Sequence, residues 1–589
     1  MPPDCFGAAG SPPGESTAAS LPFMTQGEVS PQDGPTQNRA VWRGLSPTGL
    51  VVASVGFAAA LTPSMLPRPL IFLILLVVLG TVVGYGIGAT AGWLGRKTRW
   101  QPGVPRSVPI ILPVAAWLPS LAFAPIAIGW QAEQQSALAM PAALPSTLLL
   151  LVLTAILATL FLLLGRCLRL ATNAMADAIL RTRPLARRLK GKDEQHQRTA
   201  VRFARLGTAV VAILLAFGLL QGGFALLVQS YDQVNADTSG QSEANLGLNS
   251  GSSQSRVPWS TLGREGRYFV GNTLPAAEIS EITERPAATP LRLYVGMQQA
   301  DTPQARTDLA LAELDRSGAW DRDYLAIIAV TGTGWVDPDA INSLEIVTNG
   351  EIASIAVQYT AVPSWIGFVI DPDSTQAQNA NTIQAVLSAW RARPADRRPT
   401  LILFGESLGA FGSQAAWPVG STPEEVTREI RHIVWIGPPS GSRLWKQWQA
   451  DRTAGPAWQP IIGDGKTARV FINDVELTLA RPLTGPAITF SAHPNDPVVY
   501  WSPDLLFSKP EWMNPLGPGV DPHLRYFPII TFLALGLDLI SGGGPPEVGH
   551  NYSGDIGPAV ALTVAPSWWT PAMTQELQQA LPGLHYQTG

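Results

Sequence analysis

The sequence contains a serine in a spacing that suits nucleophilic catalysis. The motif G-E-S-L-G, residues 405–409, follows the apolar run 401–404 and precedes a stretch compatible with a helix. A G-x-S-x-G turn between a strand and a helix exposes the serine hydroxyl, and its glycines avoid clashes across the turn. The N–H of Leu408 would then point at the oxyanion formed during acyl transfer. We therefore predict that Ser407 is a nucleophile; a Gly-rich turn with a capping serine is the alternative.

A carboxylate that orients a histidine is expected after a late strand. The predicted strand Ala487–Ala492 is followed by H-P-N-D-P, residues 493–497, which places Asp496 in a turn at the end of the strand. A carboxylate there fixes the tautomer of a catalytic histidine and stabilises its imidazolium. We predict Asp496 for this role, with Asp474 or Asp371 as substitutes. The alternative is that Asp496 only begins an Asp-Pro turn.

Six histidines compete for the role of general base. His550 lies in G-H-N-Y, residues 549–552, just after the turn-rich G-G-G-P-P, residues 542–546. A loop histidine after the last strand fits the chain order Ser, Asp, His. We therefore predict His550 as the base, and His523 and His585 stay possible. The remaining three lie in a basic loop, at the start of an earlier strand and in the acid turn itself: His196, His432 and His493.

A second oxyanion donor is predicted in the Gly-rich turn T-G-T-G-W, residues 331–335, after the apolar run Tyr324–Val330. A turn at this strand end can direct a backbone N–H at the reacting carbonyl, and we predict the Thr333 N–H. A phosphate-binding loop is the alternative, but the loop is too short and lacks the required Lys. The sequence shows no metal-binding pattern such as H-E-x-x-H, so neither a metal nor a cofactor is expected.

Strand and helix patterns alternate from about Val257. The predicted strands are Leu291–Gly296, Tyr324–Val330, Ser354–Tyr359, Thr400–Phe404, His432–Ile436 and Ala487–Ala492, and the predicted helices are Thr302–Ser317, Thr375–Arg391 and Glu424–Arg431. Continuous apolar runs suit strands buried on both faces of a parallel sheet. The alternation predicts an α/β domain over residues 257–589 with a doubly wound, mostly parallel sheet and ligands at the carboxyl ends of its strands.

A long segment, residues 501–549, separates the predicted acid from the predicted base. It is rich in Trp, Phe, Leu and Pro, and its part Pro528–Ile540 is apolar enough for a buried or lipid-facing helix. A lid-like insertion at this position would form a wall of the site and would favour an apolar acyl or lipid substrate. An ordinary structural insertion packed on the sheet is an equal alternative.

The amino-terminal half has the composition of a membrane domain, in a chain that is 46% hydrophobic and only 14% charged. A membrane-crossing helix needs about 20 apolar residues. Residues 48–228 are therefore predicted to be an all-α domain of five transmembrane helices, between a disordered tail (1–47) and a flexible linker (229–256). The predicted spans are Thr48–Leu66, Pro69–Leu94, Val108–Trp130, Ser146–Leu164 and Leu206–Val228.

The charges of the loops predict the orientation of this domain. Residues 165–205 carry eleven Lys and Arg against three acids, residues 95–108 carry four, and residues 131–145 carry none. By the positive-inside rule both basic loops are cytoplasmic, so we expect a cytoplasmic amino terminus and an extracytoplasmic α/β domain at the plasma membrane. A nucleic-acid patch is the rarer alternative for the long basic loop, and the net charge of −4 gives no reason to expect nucleic acid. Protein partners are not predicted.

Several of these strings resemble the actinobacterial membrane-anchored α/β-hydrolases. The similar strings in the membrane half are L-T-P-S-M-L-P-R-P (61–69) and G-Y-G-I-G (84–88). In the catalytic half they are V-P-W (257–259), T-G-T-G-W-V (331–336), G-E-S-L-G (405–409), G-P-P (437–439), D-P-V-V (496–499) and G-H-N-Y (549–552). The resemblance implies an α/β-hydrolase fold with a serine nucleophile, more distantly similar to cutinase-like esterases. It implies little about the substrate.

The function predicted from these residues is that of a membrane-anchored serine hydrolase, esterase-like or lipase-like. Ser407 would attack an ester carbonyl of a lipid or envelope ester, His550 would carry the proton and Asp496 would orient His550. The N–H groups of Leu408 and Thr333 would bind the oxyanion. The expected partners are the lipid bilayer and the ester substrate. The alternative is a non-catalytic membrane scaffold or a transporter with an α/β binding module.

Overall fold

The structure, a computed structural model, describes residues 45–97, 108–141, 146–180, 182, 194–238, 243 and 246–584, the last range without 482, 484 and 542. Nearly all of the predicted tail 1–47 lies outside the described residues. The same holds for His585 and for residues 98–107 of the first basic loop.

Four helices of the amino-terminal region are long and apolar enough to cross a membrane. The helices of this region are α1 (Pro47–Leu61), α2 (Leu70–Lys97), α3 (Val108–Ala137), α4 (Thr147–Leu180) and α5 (Glu194–Ala236). The candidate spans lie in the last four: Leu70–Gly95, Ile110–Ala137, Thr147–Leu180 and Thr199–Ala236. The 15 residues of α1 make it about 22 Å long, against about 30 Å for a bilayer core. The prediction of five spans is therefore corrected to four candidate spans, because Pro63 ends the first apolar run too early.

Although α1 is short, it packs closely and antiparallel against α2. The Thr48 hydroxyl donates a hydrogen bond to the Gly88 carbonyl oxygen at 2.9 Å. Near the other end, a Cβ on Gly56 would lie 2.2 Å from the Gly80 carbonyl oxygen. Small residues permit such close approach of two helix backbones in a membrane region. One side of α1, including Ala53, Phe57 and Ala60, is thus buried.

The segment predicted as a flexible linker is ordered at both of its ends. Helix α5 continues to Ala236, so residues 229–236 are helical. Further along, the hydroxyls of Ser250 and Ser255 donate to Glu313 Oε2 at 3.0 and 2.8 Å. The structure therefore differs from the predicted tether, because the polar residues that suggested a linker are hydrogen-bond partners of the α/β domain.

Seven strands form one sheet in the order β1-β3-β2-β4-β5-β7-β6, and every pairing is parallel. The strands are β1 (Leu291–Val295), β2 (Tyr324–Ala329), β3 (Ile352–Val357), β4 (Thr400–Glu406), β5 (His432–Ile436), β6 (Ala468–Phe471) and β7 (Ala487–Ser491). Their residues are almost all buried, as expected when helices cover both faces of a sheet. The sequence analysis predicts all of these strands except β6, which has only four residues.

Helices flank the strands along the whole domain. They are α6 (Gly263–Gly271), α7 (Ala276–Thr283), α8 (Pro303–Ser317), α9 (Pro338–Val347), α10 (Ser364–Ile370), α11 (Pro372–Arg391), α12 (Leu408–Ser413), α13 (Pro423–Val426), α14 (Arg443–Ala450), α15 (Asp474–Leu479), α16 (Pro497–Tyr500), α17 (Ile530–Ser541), α18 (Ile556–Val564) and α19 (Pro571–Ala580). The predicted helix Glu424–Arg431 is wrong beyond Val426. Its buried apolar residues are only Val426 and Ile430, too few for the stripe of a longer helix.

The segment between α1 and α2, Thr62–Pro69, packs against the α/β domain, and we call it the connector. Its Arg68 Nε lies 3.2 Å from Asp538 Oδ1 of α17, and both side chains are buried. A Cβ on Gly549 would lie 2.9 Å from the side chain of Leu66 in the connector. The membrane helices and the α/β domain therefore form one compact unit over residues 47–589.

Candidate active site

Ser407 lies in the sharp turn between β4 and α12. Its φ of 51° and ψ of −119° are unusual for a residue with a side chain and match the strained turn that the motif predicts. A Cβ on Gly405 would lie 2.8 Å from the Ala410 nitrogen, and one on Gly409 would lie 2.0 Å from the Ala329 carbonyl oxygen. Both glycines are therefore needed for the backbone to make this turn.

Asp496 and His550 lie in direct hydrogen-bond contact. Asp496 caps α16, and its Oδ1 accepts a hydrogen bond from the Val498 N–H at 2.8 Å. Its Oδ2 lies 2.6 Å from His550 Nδ1. A ring nitrogen that bonds to a carboxylate carries the proton, which leaves the lone pair of a neutral imidazole on Nε2. His550 is thus held in the tautomer that a general base requires.

The free nitrogen of His550 and the Ser407 hydroxyl belong to the same cavity. His550 Nε2 is buried and has no hydrogen-bond partner in the described part of the chain. Both residues line the cavity, with Ser407 8% exposed and the His550 side chain 18% exposed. Catalytic hydrogen bonds often close only when substrate binds. The arrangement suits transfer of the serine proton to the histidine.

The cavity has a volume of about 760 Å³ and is mostly apolar. This size lies within the range of about 300–1,000 Å³ that is usual for small-molecule sites. Its apolar lining consists mainly of aromatic and aliphatic side chains: Trp335, Trp365, Phe368, Val498, Trp501, Leu539 and Ile540. The site therefore accommodates an apolar group next to Ser407.

One wall of the cavity is α17, which we call the wall helix. Its residues on the cavity side are Gly536, Leu539 and Ile540. On another side, Asp538 pairs with Arg68 of the connector, and a Cβ on Gly80 of α2 would lie 3.2 Å from Ile530 Cδ1. The predicted helix is thus present as Ile530–Ser541, and it packs between the cavity and the candidate span α2.

The two predicted oxyanion donors are placed differently. Leu408 lines the cavity, and as the first residue of α12 its N–H has no partner within the helix. Thr333 is not among the described residues that line the cavity, and its carbonyl oxygen accepts a hydrogen bond from Gln358 Nε2 at 2.6 Å. From the same turn, Thr331 and Trp335 line the cavity. The Thr333 N–H as a donor therefore stays a prediction.

Glu406 precedes the nucleophile and also lines the cavity. Burial raises the pKa of its carboxyl group well above the usual range, and the charges of Asp337 and Asp339 raise the pKa further. Glu406 is therefore favoured in its neutral form. The sequence analysis assigns it no role, because the motif leaves this position open.

Tyr552 supports the acid of the pair and was also missed. Its hydroxyl donates a hydrogen bond to Asp496 Oδ2 at 2.7 Å. Its ring stacks on His493 with the ring centroids 4.0 Å apart. Tyr552 belongs to the string G-H-N-Y, so that string contained a signal for a role beyond the one of His550.

A second buried group, His493 with Glu547 and Asp555, lies next to Tyr552. His493 Nε2 is 2.9 Å from Asp555 Oδ2 and 3.6 Å from Glu547 Oε2. Without a metal, burial alone would lower the pKa of His493, but hydrogen bonds to Asp555 and Glu547 outweigh burial and raise the pKa to about 10. All three residues are of types that can bind a metal. Their positions form no linear motif, so the sequence did not predict this group.

The substitutes considered for the acid and the base have other surroundings. Asp371 caps α11 by accepting a hydrogen bond from the Ser374 N–H at 3.2 Å. His523 stacks on Trp130 of α3 with the ring centroids 4.2 Å apart. Neither Asp371, Asp474 nor His523 is among the described residues that line the cavity.

Comparison with known families accounts for both halves of the chain. Residues 291–577 match the model described as "Alpha/beta-hydrolase family", and residues 61–273 match the one described as "Alpha/beta-hydrolase family N-terminus". The parallel seven-stranded sheet with its helices fits the same fold. No curated protein and no solved structure shows significant similarity to the chain.

Proposed function

Because both matches support an α/β-hydrolase family, we propose that the chain is a serine hydrolase acting on carboxylic esters. One observation carries this proposal: His550 is bonded through Nδ1 to Asp496, and its Nε2 has no hydrogen-bond partner among the described residues, with both His550 and Ser407 lining one cavity. A base oriented by a carboxylate, in the same cavity as a serine hydroxyl, is the arrangement that activates serine.

The proposed reaction proceeds through an acyl-enzyme. Ser407 Oγ attacks the ester carbonyl as His550 Nε2 takes its proton, and the Leu408 N–H stabilises the oxyanion, with the Thr333 N–H as the proposed second donor. His550 then returns the proton to the leaving alcohol, and Ser407 stays acylated. Water attacks this acyl group in hydrolysis, whereas a second alcohol attacks it in acyl transfer, and both routes use the same residues.

The lining of the cavity supports a lipid or envelope ester as substrate. Its aromatic and aliphatic surface suits an acyl chain, and the wall helix lies against α1 and α2. A substrate held against this wall would be close to the membrane helices. We propose an esterase or lipase whose acyl-binding cavity lies next to the membrane.

The ion pair of the connector supports the proposed orientation. Arg68 precedes the first candidate span, and Asp538 follows the last. Their contact requires an even number of crossings between them, which the four candidate spans provide. With the basic loops in the cytoplasm of a plasma-membrane protein, the α/β domain is then extracytoplasmic. The connector lies on the same side, so a cytoplasmic amino terminus would require α1 to cross as well.

The proposal is tested on the full chain in detergent with p-nitrophenyl butyrate. Ser407→Ala is expected to lower turnover at least about 1,000-fold because it removes the nucleophile. Ser364→Ala is the matched control, since Ser364 also lines the cavity but its hydroxyl bonds to that of Thr331 at 2.8 Å. We expect this control to keep turnover within about tenfold, the scale of one hydrogen bond. Unchanged turnover in a folded Ser407→Ala would exclude the mechanism and favour a non-catalytic binding module.

A further inference from the structure

The spacing of His493, Glu547 and Asp555 suits the coordination of one metal ion. One ligand atom from each residue lies within 4.8 Å of the others. The two separations from His493 Nε2 are 2.9 Å to Asp555 and 3.6 Å to Glu547. Two ligands held about 2.1 Å from one ion are about 3.0 Å apart at a right angle and about 3.4 Å apart at the tetrahedral angle. The side chains are therefore spaced like neighbouring ligands of a single ion.

The contacts of His493 require a proton or a metal ion between its Nε2 and the carboxylates. Its Nδ1 lies 2.8 Å from the Gly549 carbonyl oxygen, an acceptor only, so Nδ1 carries a proton. In a neutral ring the lone pair of Nε2 would face the oxygens of Asp555 and Glu547 and be repelled. Either a second proton or a metal ion resolves this conflict. A carbonyl oxygen at the other ring nitrogen is also the usual support of a metal-bound histidine.

The carboxylates favour a metal ion over a proton. Both oxygens of Glu547 and Oδ1 of Asp555 are buried without a hydrogen-bond partner among the described residues. Asp555 is 0% exposed, and its other oxygen also accepts a hydrogen bond from the Ser491 hydroxyl. Buried carboxylate oxygens without partners are costly. A proton on His493 Nε2 would pair with Asp555 Oδ2 and lie 3.6 Å from Glu547 Oε2, but it leaves Asp555 Oδ1 and Glu547 Oε1 without a hydrogen bond among the described residues. A divalent cation binds both carboxylates and balances their two charges.

We propose that His493, Glu547 and Asp555 bind a divalent transition-metal cation, best matched by Zn²⁺. One imidazole nitrogen with two carboxylates suits Zn²⁺ and allows a water as the fourth ligand. Ca²⁺ and Mg²⁺ prefer ligand sets made only of oxygen. None of the three residues is among those described as lining the cavity, so the ion would have a structural role.

The ion would hold the loop of the catalytic histidine onto the end of β7. His493 follows that strand, whereas Glu547 and Asp555 lie on either side of His550 in the chain. The His493 ring also bonds to Gly549, the residue before His550. The positioning role therefore rests on the proposed function, but binding of the ion does not.

The first test measures metal in the full chain, purified in detergent without a polyhistidine tag. We expect inductively coupled plasma mass spectrometry to find about one Zn²⁺ per chain. After removal of metal with EDTA, ZnCl₂ is expected to raise the unfolding temperature by at least about 5 °C, because the ion binds only the folded chain. A response to CaCl₂ or MgCl₂ but not to ZnCl₂ would overturn the assignment.

Variants separate this site from the catalytic pair. Asp555→Asn and Glu547→Gln are expected to lose the ion and the stabilisation by ZnCl₂, whereas His550→Gln keeps both. If Asp555→Asn does not fold, Glu547→Gln provides the test, because Glu547 is partly exposed. The affinity of this variant for Zn²⁺ is expected to fall at least about tenfold. Less than about 0.1 ion in the wild type with no response to ZnCl₂, or equal metal in every variant, contradicts the proposal. These measurements do not use turnover, so they stand even if Ser407 proves inactive.

Discussion

Two histidine–carboxylate pairs contact Tyr552, and they differ in the partners of their ring nitrogens. In His550–Asp496 the carboxylate bonds to Nδ1, and within the described part of the chain Nε2 has no hydrogen-bond partner. In His493–Asp555 both nitrogens have oxygen neighbours, a carbonyl at Nδ1 and a carboxylate at Nε2. The same two residue types thus form a general base in one pair, and in the other a histidine whose two ring nitrogens both face oxygen atoms.

Exposure follows the same division. The His550 side chain is 18% exposed and the His493 side chain 2%. A base must exchange protons with a substrate and therefore has to reach the cavity, whereas a ring that binds an ion or a carboxylate has no such need. The hydrogen-bond partners of each ring nitrogen, rather than the presence of a nearby acid, therefore decide whether a histidine can act as a base.

The largest contrast is expected between His550→Gln and His493→Gln. His550→Gln removes the proton acceptor and is predicted to lower ester turnover at least about 1,000-fold with little change in unfolding temperature. His493→Gln is predicted to lower the unfolding temperature while turnover stays within about tenfold wherever the variant is folded. Steady-state kinetics and thermal unfolding of both variants check this. Equal losses of turnover would remove the distinction between the two histidines.

A second variant perturbs the ion pair between the connector and the wall helix. Arg68→Met leaves the Asp538 carboxylate buried without its cation, and we expect it to destabilise the full chain by about 3–5 kcal/mol. The matched control Arg68→Met/Asp538→Leu removes both charges and should recover most of that loss. Denaturant unfolding in detergent measures both. If the single variant is as stable as the wild type, the connector does not support the wall helix.

Tyr552→Phe distinguishes the pairs through one hydroxyl. The change removes the hydrogen bond that the hydroxyl donates to Asp496 and the one that it accepts from the His493 backbone N–H, but it keeps the ring that stacks on the His493 side chain. One hydrogen bond to a charged group contributes about 1.5–3 kcal/mol, so we expect turnover to fall roughly 10-fold to 100-fold. Metal content should be unchanged. A loss of metal without a loss of turnover would assign Tyr552 to the other pair.

The smallest effect is expected at Glu406, the buried acid next to the nucleophile. Since its raised pKa favours the neutral form, Glu406→Gln is predicted to change turnover less than about threefold at pH 7. Asp496→Asn is the contrasting control, since that acid must be charged, and its loss should exceed 100-fold.

Glu406→Gln also gives a pH test, because the raised pKa of Glu406 predicts the direction in which stability changes with pH. A pKa raised on folding contributes stability below the unfolded pKa of about 4.3, and this contribution is lost as pH rises through the folded pKa. The wild type should therefore lose stability relative to Glu406→Gln as pH rises above about 4.3. Unfolding followed across pH 4 to 9 measures this difference. A wild type that instead gains stability relative to Glu406→Gln as pH rises would mean that folding favours the charged form of Glu406.

The parts of the fold and of the site that depend on local sequence patterns could be predicted. The strands before Ser407 and Asp496 were visible as apolar runs, and the G-x-S-x-G spacing indicated the turn that the structure has at Ser407. Chain order singled out His550, which the structure places 2.6 Å from Asp496. The end of α1 was not predicted, because the span Thr48–Leu66 was extended through Pro63, whereas the helix ends at Leu61.

Contacts between distant positions could not be predicted from the sequence. His493 meets Asp555 across 62 positions, and Arg68 meets Asp538 across 470. No local spacing connects such residues, so neither the buried group beside Tyr552 nor the support of the wall helix was expected. A motif does not identify which of its residues faces a site. The Gly-rich turn was predicted, but the residues of this turn described as lining the cavity are Thr331 and Trp335, and not Thr333.

The most direct test of the account is labelling of the full chain with a fluorophosphonate, followed by identification of the modified peptide. The reagent reacts with an activated serine, so we expect label on Ser407 in the wild type and in His493→Gln. Labelling should be lost in Ser407→Ala and slowed at least about 100-fold in His550→Gln. Label on another serine, or equal labelling of Ser407 with and without His550, would contradict activation of Ser407 by His550.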